Sequence, residues 1–286
     1  MAEETGLKVS FYQKNPTACP VCGESFYKEE MLSGGGRLIA KNITDELRRV
    51  YEPGRKGVDV NPLLYPVTVC PACLYAAYQE DFPHVKNELI PAAYSQRNKR
   101  KEDIAAIFPD TDFKKPRNLM SGAGSYILSI GSYSFHAKEK APSFKKALSS
   151  LRGAWAFDDL HKKYPSRNYD RIKLLLYRKA IVYYERTIDF AQNGRERIDA
   201  VKHFGPDLDK NYGFQGVLFM FTLLLFKYGD QGDENLRLAQ LQSAKRIISR
   251  VFGTGKSSKS KPSLVLDLAK DLYDKIGAKV EELLAS

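Results

Sequence analysis

Apolar positions along the chain change period near residue 82. Before it they come in short runs broken by Gly, Pro and Ser; after it they recur at i, i+3 and i+4 over long stretches. The first pattern predicts short strands and the second predicts helices. In the first part, Phe26-Tyr27 and Arg37 to Ala40 read as strands around the Ser33-Gly-Gly-Gly36 turn. Leu63 to Val69, rich in β-branched and aromatic residues, reads as a strand that delivers Cys70. Between them, Thr44 to Tyr51 is predicted as a short helix, capped by Thr44 and stopped by Glu52-Pro-Gly54, and Lys56 to Pro62 as a loop. Residues 1–82 therefore make a small antiparallel ribbon.

Residues 83–118 read as a helical connection: Pro83 to Arg97 as a helix broken by Pro91, Glu102 to Phe108 as a second short one, then the polar stretch from Pro109 to Arg117. From residue 119 to 286 the pattern is a helical array. Tyr126 to Phe135 carries Gly131 and serines that permit close packing. Phe144, Ala147, Leu148, Leu151, Ala154 and Trp155 fall on one stripe, as do Ile172, Leu175, Leu176, Ala180, Tyr183, Thr187 and Ala191. Tyr212 to Tyr228 is apolar nearly all round and should be the most enclosed helix. Leu241, Ala244, Ile248 and Val251 mark the next, and Val265, Leu268, Leu272, Ile276, Val280, Leu283 and Leu284 the last. Such helices in antiparallel pairs suit a tetratricopeptide stack, yet no period of about 34 residues can be laid over them, so an irregular bundle stays open as the alternative. The expected class is α+β and mostly α: a small ribbon-like β module followed by an all-α, tetratricopeptide-like array.

Composition narrows the setting. With 286 residues, 43% of them hydrophobic and 12% aromatic, the chain can bury a large core and is not of a disordered class. Met1-Ala-Glu-Glu4 begins acidic and polar, which gives no secretory signal, and the most apolar run, Val217 to Phe226, is too short for a bilayer of about 30 Å. No membrane span and a cytoplasmic location are expected. The net charge of +11 suggests nucleic acid. The basic residues are dispersed, however, among Arg97 to Lys101, Lys114 to Arg117, His161 to Lys163 and Lys256 to Lys261, with no aromatic run of the kind that stacks bases. Direct nucleic-acid binding is therefore not favoured.

The candidate chemistry lies in four cysteines, all the chain has, in two matching turns: Cys19-Pro-Val-Cys22 and Cys70-Pro-Ala-Cys73. Two thiols two residues apart can face a single ion from one tight turn, and two such turns complete a tetrahedral tetrathiolate shell for Zn²⁺. Pro20 and Pro71 stiffen the turns, and Gly23 supplies a permissive backbone after the first. Two-residue spacing is poor geometry for structural disulfides, and a redox pair would be single rather than duplicated. Iron is the serious rival, because rubredoxin-like electron carriers use the same turn. Zinc is favoured, since a closed shell leaves no position for substrate and a structural ion needs no partner chemistry. As many as 48 positions separate Cys22 from Cys70, so the insert must carry structure of its own.

The run Asn61-Pro-Leu-Leu-Tyr-Pro-Val-Thr-Val-Cys70-Pro-Ala-Cys73-Leu-Tyr-Ala-Ala77, followed by Asp81-Phe82, resembles the hallmark of a bacterial family filed as domain of unknown function 2225. The first turn, Cys19-Pro-Val-Cys-Gly-Glu-Ser-Phe26, is similar to that family's opening motif. The resemblance implies a cysteine ribbon joined to a helical region like tetratricopeptide repeats, and it brings no activity with it. At the position of Leu74 the family more often carries glycine.

Other constellations argue against an enzyme. Gly253-Thr-Gly-Lys-Ser257 has Arg250 where a phosphate-binding loop needs its first glycine, and a helix precedes it. His84, His136, His161 and His203 are scattered, and His84, though near the ribbon, finds the cysteine shell full. Asp158-Asp159 and Glu281-Glu282 suit solvated helix faces. Tyr183-Tyr184 and Phe219 to Phe221 suit a core, although tyrosines on a concave helical surface could anchor a partner peptide. The expectation is a non-enzymatic protein that binds a protein partner through its helical domain.

Overall fold

A computed structural model describes residues 8–32, 38–53, 61–252 and 263–285. It is mostly helical, with small antiparallel strand pairs towards the N-terminus and a helical array after them. Two compact units are distinguished. The described residues of one lie within Met1–Thr44, Arg49–Ala137 and Trp155–Asp170; those of the other lie within Asp45–Arg48, Lys138–Ala154 and Arg171–Ser286.

The first unit holds four two-stranded antiparallel pairs. Strand β1 (Ser10–Tyr12) pairs with β4 (Glu29–Met31), and nested between them β2 (Thr17–Ala18) pairs with β3 (Ser25–Phe26). Strand β5 (Leu38–Ile43) pairs with β6 (Arg49–Pro53), with an irregularity between Ala40 and Ile43. Strand β7 (Val67–Val69) pairs with β8 (Ala76–Tyr78), and every residue of these last two strands is buried. Strands this short have little independent stability, and the β7–β8 pair is braced by helices. Helices α1 (Ile90–Ser95) and α2 (Arg97–Ile107) lead to α3 (Leu119–Ser132). A reciprocal cap opens α3: Asn118 Oδ1 accepts from the Ser121 amide at 2.9 Å, and Ser121 Oγ accepts from the Asn118 amide at 3.0 Å. Gly122 then lets α3 pass close to the Pro62–Leu64 turn, because a Cβ there would collide with the Leu64 side chain and lie 3.2 Å from its Cα. Three hydrogen bonds hold this region, one to the Pro62–Leu64 turn and two to the β7–β8 hairpin. Tyr126 OH donates to the Leu63 carbonyl (2.6 Å), the Ala76 amide to Ser132 Oγ (3.2 Å) and the Tyr78 amide to Tyr133 OH (3.1 Å). Phe108, Phe157 and Tyr169 form an aromatic cluster with centroids 5.7–5.9 Å apart.

The second unit takes in the first part of α4 (Pro142–Lys163), most of α5 (Tyr169–Asn193), and α6 (Gly213–Tyr228), α7 (Glu234–Phe252) and α8 (Ser263–Ala285). Helices α6, α7 and α8 pack on one another. Gly216 to Leu225 of α6 are all buried, as the all-round apolar sequence predicts. So are Phe144, Ala147, Leu148, Leu151 and Ala154 of α4, and Leu241, Ala244, Ile248 and Val251 of α7. Several polar side chains in this core make specific hydrogen bonds. Glu196 takes the Ser143 amide (2.9 Å) and hydroxyl (2.7 Å) in the first turn of α4. Arg237 donates to the Leu225 and Phe226 carbonyls at the end of α6 (2.8 and 2.6 Å), where a cation also suits the helix dipole. Glu46 accepts from Tyr177 OH (2.8 Å), Tyr228 OH (3.1 Å) and Lys227 Nζ (3.1 Å). Burial first, then the Glu46 charge, pushes the Tyr228 phenol up to about 12.

Four local expectations are corrected. Thr44 to Tyr51 is the hairpin turn and strand β6, not a helix. Leu47 takes a left-handed backbone (φ 57°), and Arg49-Val50-Tyr51, rich in strand formers, pairs with β5. Leu63 begins no strand: the Asn61 side chain accepts the Leu63 amide (3.0 Å) and closes a 3₁₀ turn, so the strand starts at Val67. Pro91 does not break a helix but sits in the first turn of α1, where a missing N–H costs nothing. Leu175 and Leu284 are exposed, at 57% and 64%, because the buried stripe of α5 runs through Leu176, Tyr177, Ala180, Tyr184 and Ile188, and Leu284 lies in the final turn of α8. The Ser33 to Gly36 turn, most of the Lys56 to Pro62 loop, Gly253 to Ser257 and the lysines of 256–261 lie outside the described residues.

Candidate metal centre

The two cysteine turns are built alike. In the first, the Gly23 amide donates to the Cys19 carbonyl (2.9 Å) and the Cys19 amide to the Glu24 carbonyl (2.8 Å). In the second, the Leu74 amide donates to the Cys70 carbonyl (2.9 Å) and the Cys70 amide to the Tyr75 carbonyl (2.9 Å). The residue after each pair is left-handed, Gly23 at φ 78° and Leu74 at φ 56°. Glycine adopts this shape freely, whereas for leucine it costs about 1–2 kcal/mol. Leu74 is only 8% exposed, and burying its side chain returns about 1.5–3 kcal/mol, so packing offsets the strain.

This common backbone aims amides at sulfur. Cys19 Sγ accepts from the Cys22 N–H, Cys70 Sγ from the Cys73 N–H and Cys73 Sγ from the Tyr75 N–H, and each of these bonds favours the thiolate. The four sulfurs lie within 4.8 Å of one another, with Cys19 and Cys73 at 3.7 Å and Cys22 and Cys70 at 3.6 Å. A disulfide needs about 2.05 Å, so these are not bridges. Sulfurs about 2.3 Å from a tetrahedral ion stand about 3.8 Å apart, which is close to the two short separations. Cys19, Cys70 and Cys73 are buried and Cys22 is partly exposed. The thiols polarise one another. Cys73 is driven down because Cys19, and then Cys70, donate to it, while Cys19 is driven up by its bonds to Cys70 and Cys73 and by burial. Cys70, although Cys19 donates to it, is pushed up by its bond to Cys73 and by burial. Four sulfurs so close and so buried cannot all be thiolates unless a cation shares their charge. The donor set therefore fits a four-coordinate metal ion.

Around the second turn lies a set of supports that the sequence pattern does not reveal. Arg100, from the basic run Arg97 to Lys101, is 7% exposed and donates to the Cys73 carbonyl (2.9 Å) and the Ala93 carbonyl (2.8 Å). Tyr75 OH donates to the Phe82 carbonyl (3.2 Å) and is 2.9 Å from His136 Nε2, while Tyr133 OH donates to Asp81 (2.9 Å). Tyr75 and Asp81-Phe82, all in the family-like motif, are the sequence signals that point to this network. Of the other histidines, His84 is exposed and outside the sulfur cluster, and His161 is 4.0 Å from Asp170. Asp158 pairs with Lys162 (2.6 Å) and Asp159 with Asn61 (3.4 Å), so neither makes a carboxylate dyad with the other.

No helix among the described residues is long and apolar enough to cross a membrane. Residues 11–276 match a family model described as an uncharacterized protein conserved in bacteria, DUF2225. An uncharacterized protein of Borreliella burgdorferi is 39% identical over 280 residues, covering 96% of this chain and 99% of its own length. No solved structure matches the chain. With a match of this extent, the chain belongs to the DUF2225 family of bacterial proteins.

Proposed function

We propose that the four cysteines hold one structural Zn²⁺ that staples the two turns together, and that the helical unit is a tetratricopeptide-like docking surface for a partner protein in the bacterial cytoplasm. The observation that carries the metal role is the sulfur cluster, with two like turns meeting at separations of 3.6 and 3.7 Å. Four cysteine ligands fill a tetrahedral shell, which suits an ion that folds the ribbon rather than one that handles substrate. Zinc is preferred to iron because it needs no electron partner, and thiols held as ligands suit a reducing compartment. The docking role draws on consecutive helices α6, α7 and α8 packed in sequence and on exposed apolar side chains at Leu174, Leu175 and Val182 of α5.

Photo-crosslinking groups placed singly at exposed positions of α5 and α7 in the bacterial cell test the docking role. Discrete adducts with one other polypeptide are expected. A full set of positions with no adduct contradicts it.

A further inference from the structure

One groove in the helical unit is lined by charges that no ion pair among the described residues takes up. It lies along α5, α6 and α7 and has a volume of about 310 Å³. Glu185 and Asp189, one turn apart, form its wall on α5. Arg246 and Arg250, likewise one turn apart, form its wall on α7. All four are exposed, and no ion pair joins the two walls; the one contact is from Asn193 Nδ2 to Asp189, at 3.3 Å on the same helix. The floor is apolar, from Ile188, Phe221 and Ile247.

Walls of opposite sign select a dipolar occupant. A phosphate backbone satisfies the arginines but is repelled by the carboxylates, and a purely basic segment meets the converse problem. On each helix the lining spans two turns, about 10 Å at 1.5 Å per residue. That length accepts about three residues of extended chain at 3.3 Å each. Successive side chains of an extended segment point to opposite sides, so alternating basic and acidic residues set every cation against α5 and every anion against α7. Their aliphatic stems then lie over the apolar floor.

We propose that this groove binds an extended segment of a partner protein in which basic and acidic residues alternate. The proposal rests on the docking role inferred above and gives it a site and a sequence chemistry.

The test uses the full-length, metal-loaded chain and labelled hexapeptides at low ionic strength, read by fluorescence anisotropy. The panel comprises lysine alternating with glutamate, the same composition with its lysines and glutamates in two blocks, hexalysine and hexaglutamate. The alternating peptide should bind tightest. The double reversal Arg246→Glu with Arg250→Glu should weaken it roughly tenfold, the worth of two partly exposed ion pairs, and should strengthen hexalysine binding by a similar factor. Because the second effect is a gain, it also reports that the variant is folded. Equal binding of the blocked peptide, indifference to the reversal, or no binding of the alternating peptide each overturns the groove. None of these results touches the photo-crosslinks on α5 and α7, so the docking role can survive the loss of this site.

Discussion

The two cysteine turns have one backbone and unlike surroundings. The first sits on the two-residue strands β2 and β3, with Gly23 exposed and Cys22 partly so. The second sits between fully buried strands, with Leu74 and Tyr75 packed, Arg100 on the Cys73 carbonyl and α3 hydrogen-bonded to β8. The difference teaches that one turn geometry can be held by different means. The second turn is braced by protein packing; on the proposed reading, the first would depend on the ion shared between them.

Removing the metal should therefore break the pair unevenly, and this is the largest effect expected. Chelation, or Cys22→Ser, withdraws a contribution on the order of 10 kcal/mol. In hydrogen exchange the Thr17 to Phe26 amides should lose protection while Val67 to Tyr78 keep most of theirs, and far-ultraviolet dichroism should retain its helical signal. Equal loss at both turns would show that the second is no more preformed than the first.

Arg100→Ala attacks the other side of the comparison. It strips two buried carbonyls of their donor, which should cost about 2 kcal/mol in denaturant unfolding and loosen the metal roughly tenfold or more in chelator competition. A variant with wild-type affinity would remove Arg100 from the support of the second turn.

The residues after the turns give a smaller contrast. Gly23→Ala meets no atom within 4 Å, so its cost is backbone strain alone, about 1 kcal/mol. Leu74→Gly relieves strain but empties a buried site, so a net loss near 1 kcal/mol is expected in thermal unfolding, where backbone strain alone would give a gain.

Glu196 in the helical unit provides the smallest effect and a control without cysteine. Burial raises its carboxyl above the ordinary value of 4.5, against the Ser143 bonds that pull it down. A raised carboxyl favours the protonated fold, so its contribution is complete at low pH and is lost as pH rises through the raised value. Glu196→Gln should flatten that part of the stability profile in a pH series of melts. An unchanged slope would mean the carboxyl is not raised.

The sequence showed what depends on spacing and period. The two cysteine pairs marked the cluster, and the apolar rows of α4, α6 and α7 marked buried faces, because both signals are local. What it hid depends on distant partners. Thr44 to Tyr51 carries a cap and a stop, but its conformation is decided by pairing with β5 and by the burial of Glu46 and Leu47. Leu175 fits a helical stripe as well as Leu176 does, and only the phase of packing separates them. Arg100 looks like any residue of a basic run until the Cys73 carbonyl is brought beside it. Leu74 shows the same limit at the site: leucine itself gives no sign of a left-handed turn that packing makes tolerable, and only the glycine more common there in the family hints at it.

The central claim is that four sulfurs share one zinc ion. Metal analysis and a visible spectrum of protein purified without added metal test it most directly. One equivalent of zinc per chain and a colourless solution are expected. Iron with visible absorption would replace a structural ion with an electron carrier, and a metal-free, folded ribbon would contradict the account altogether.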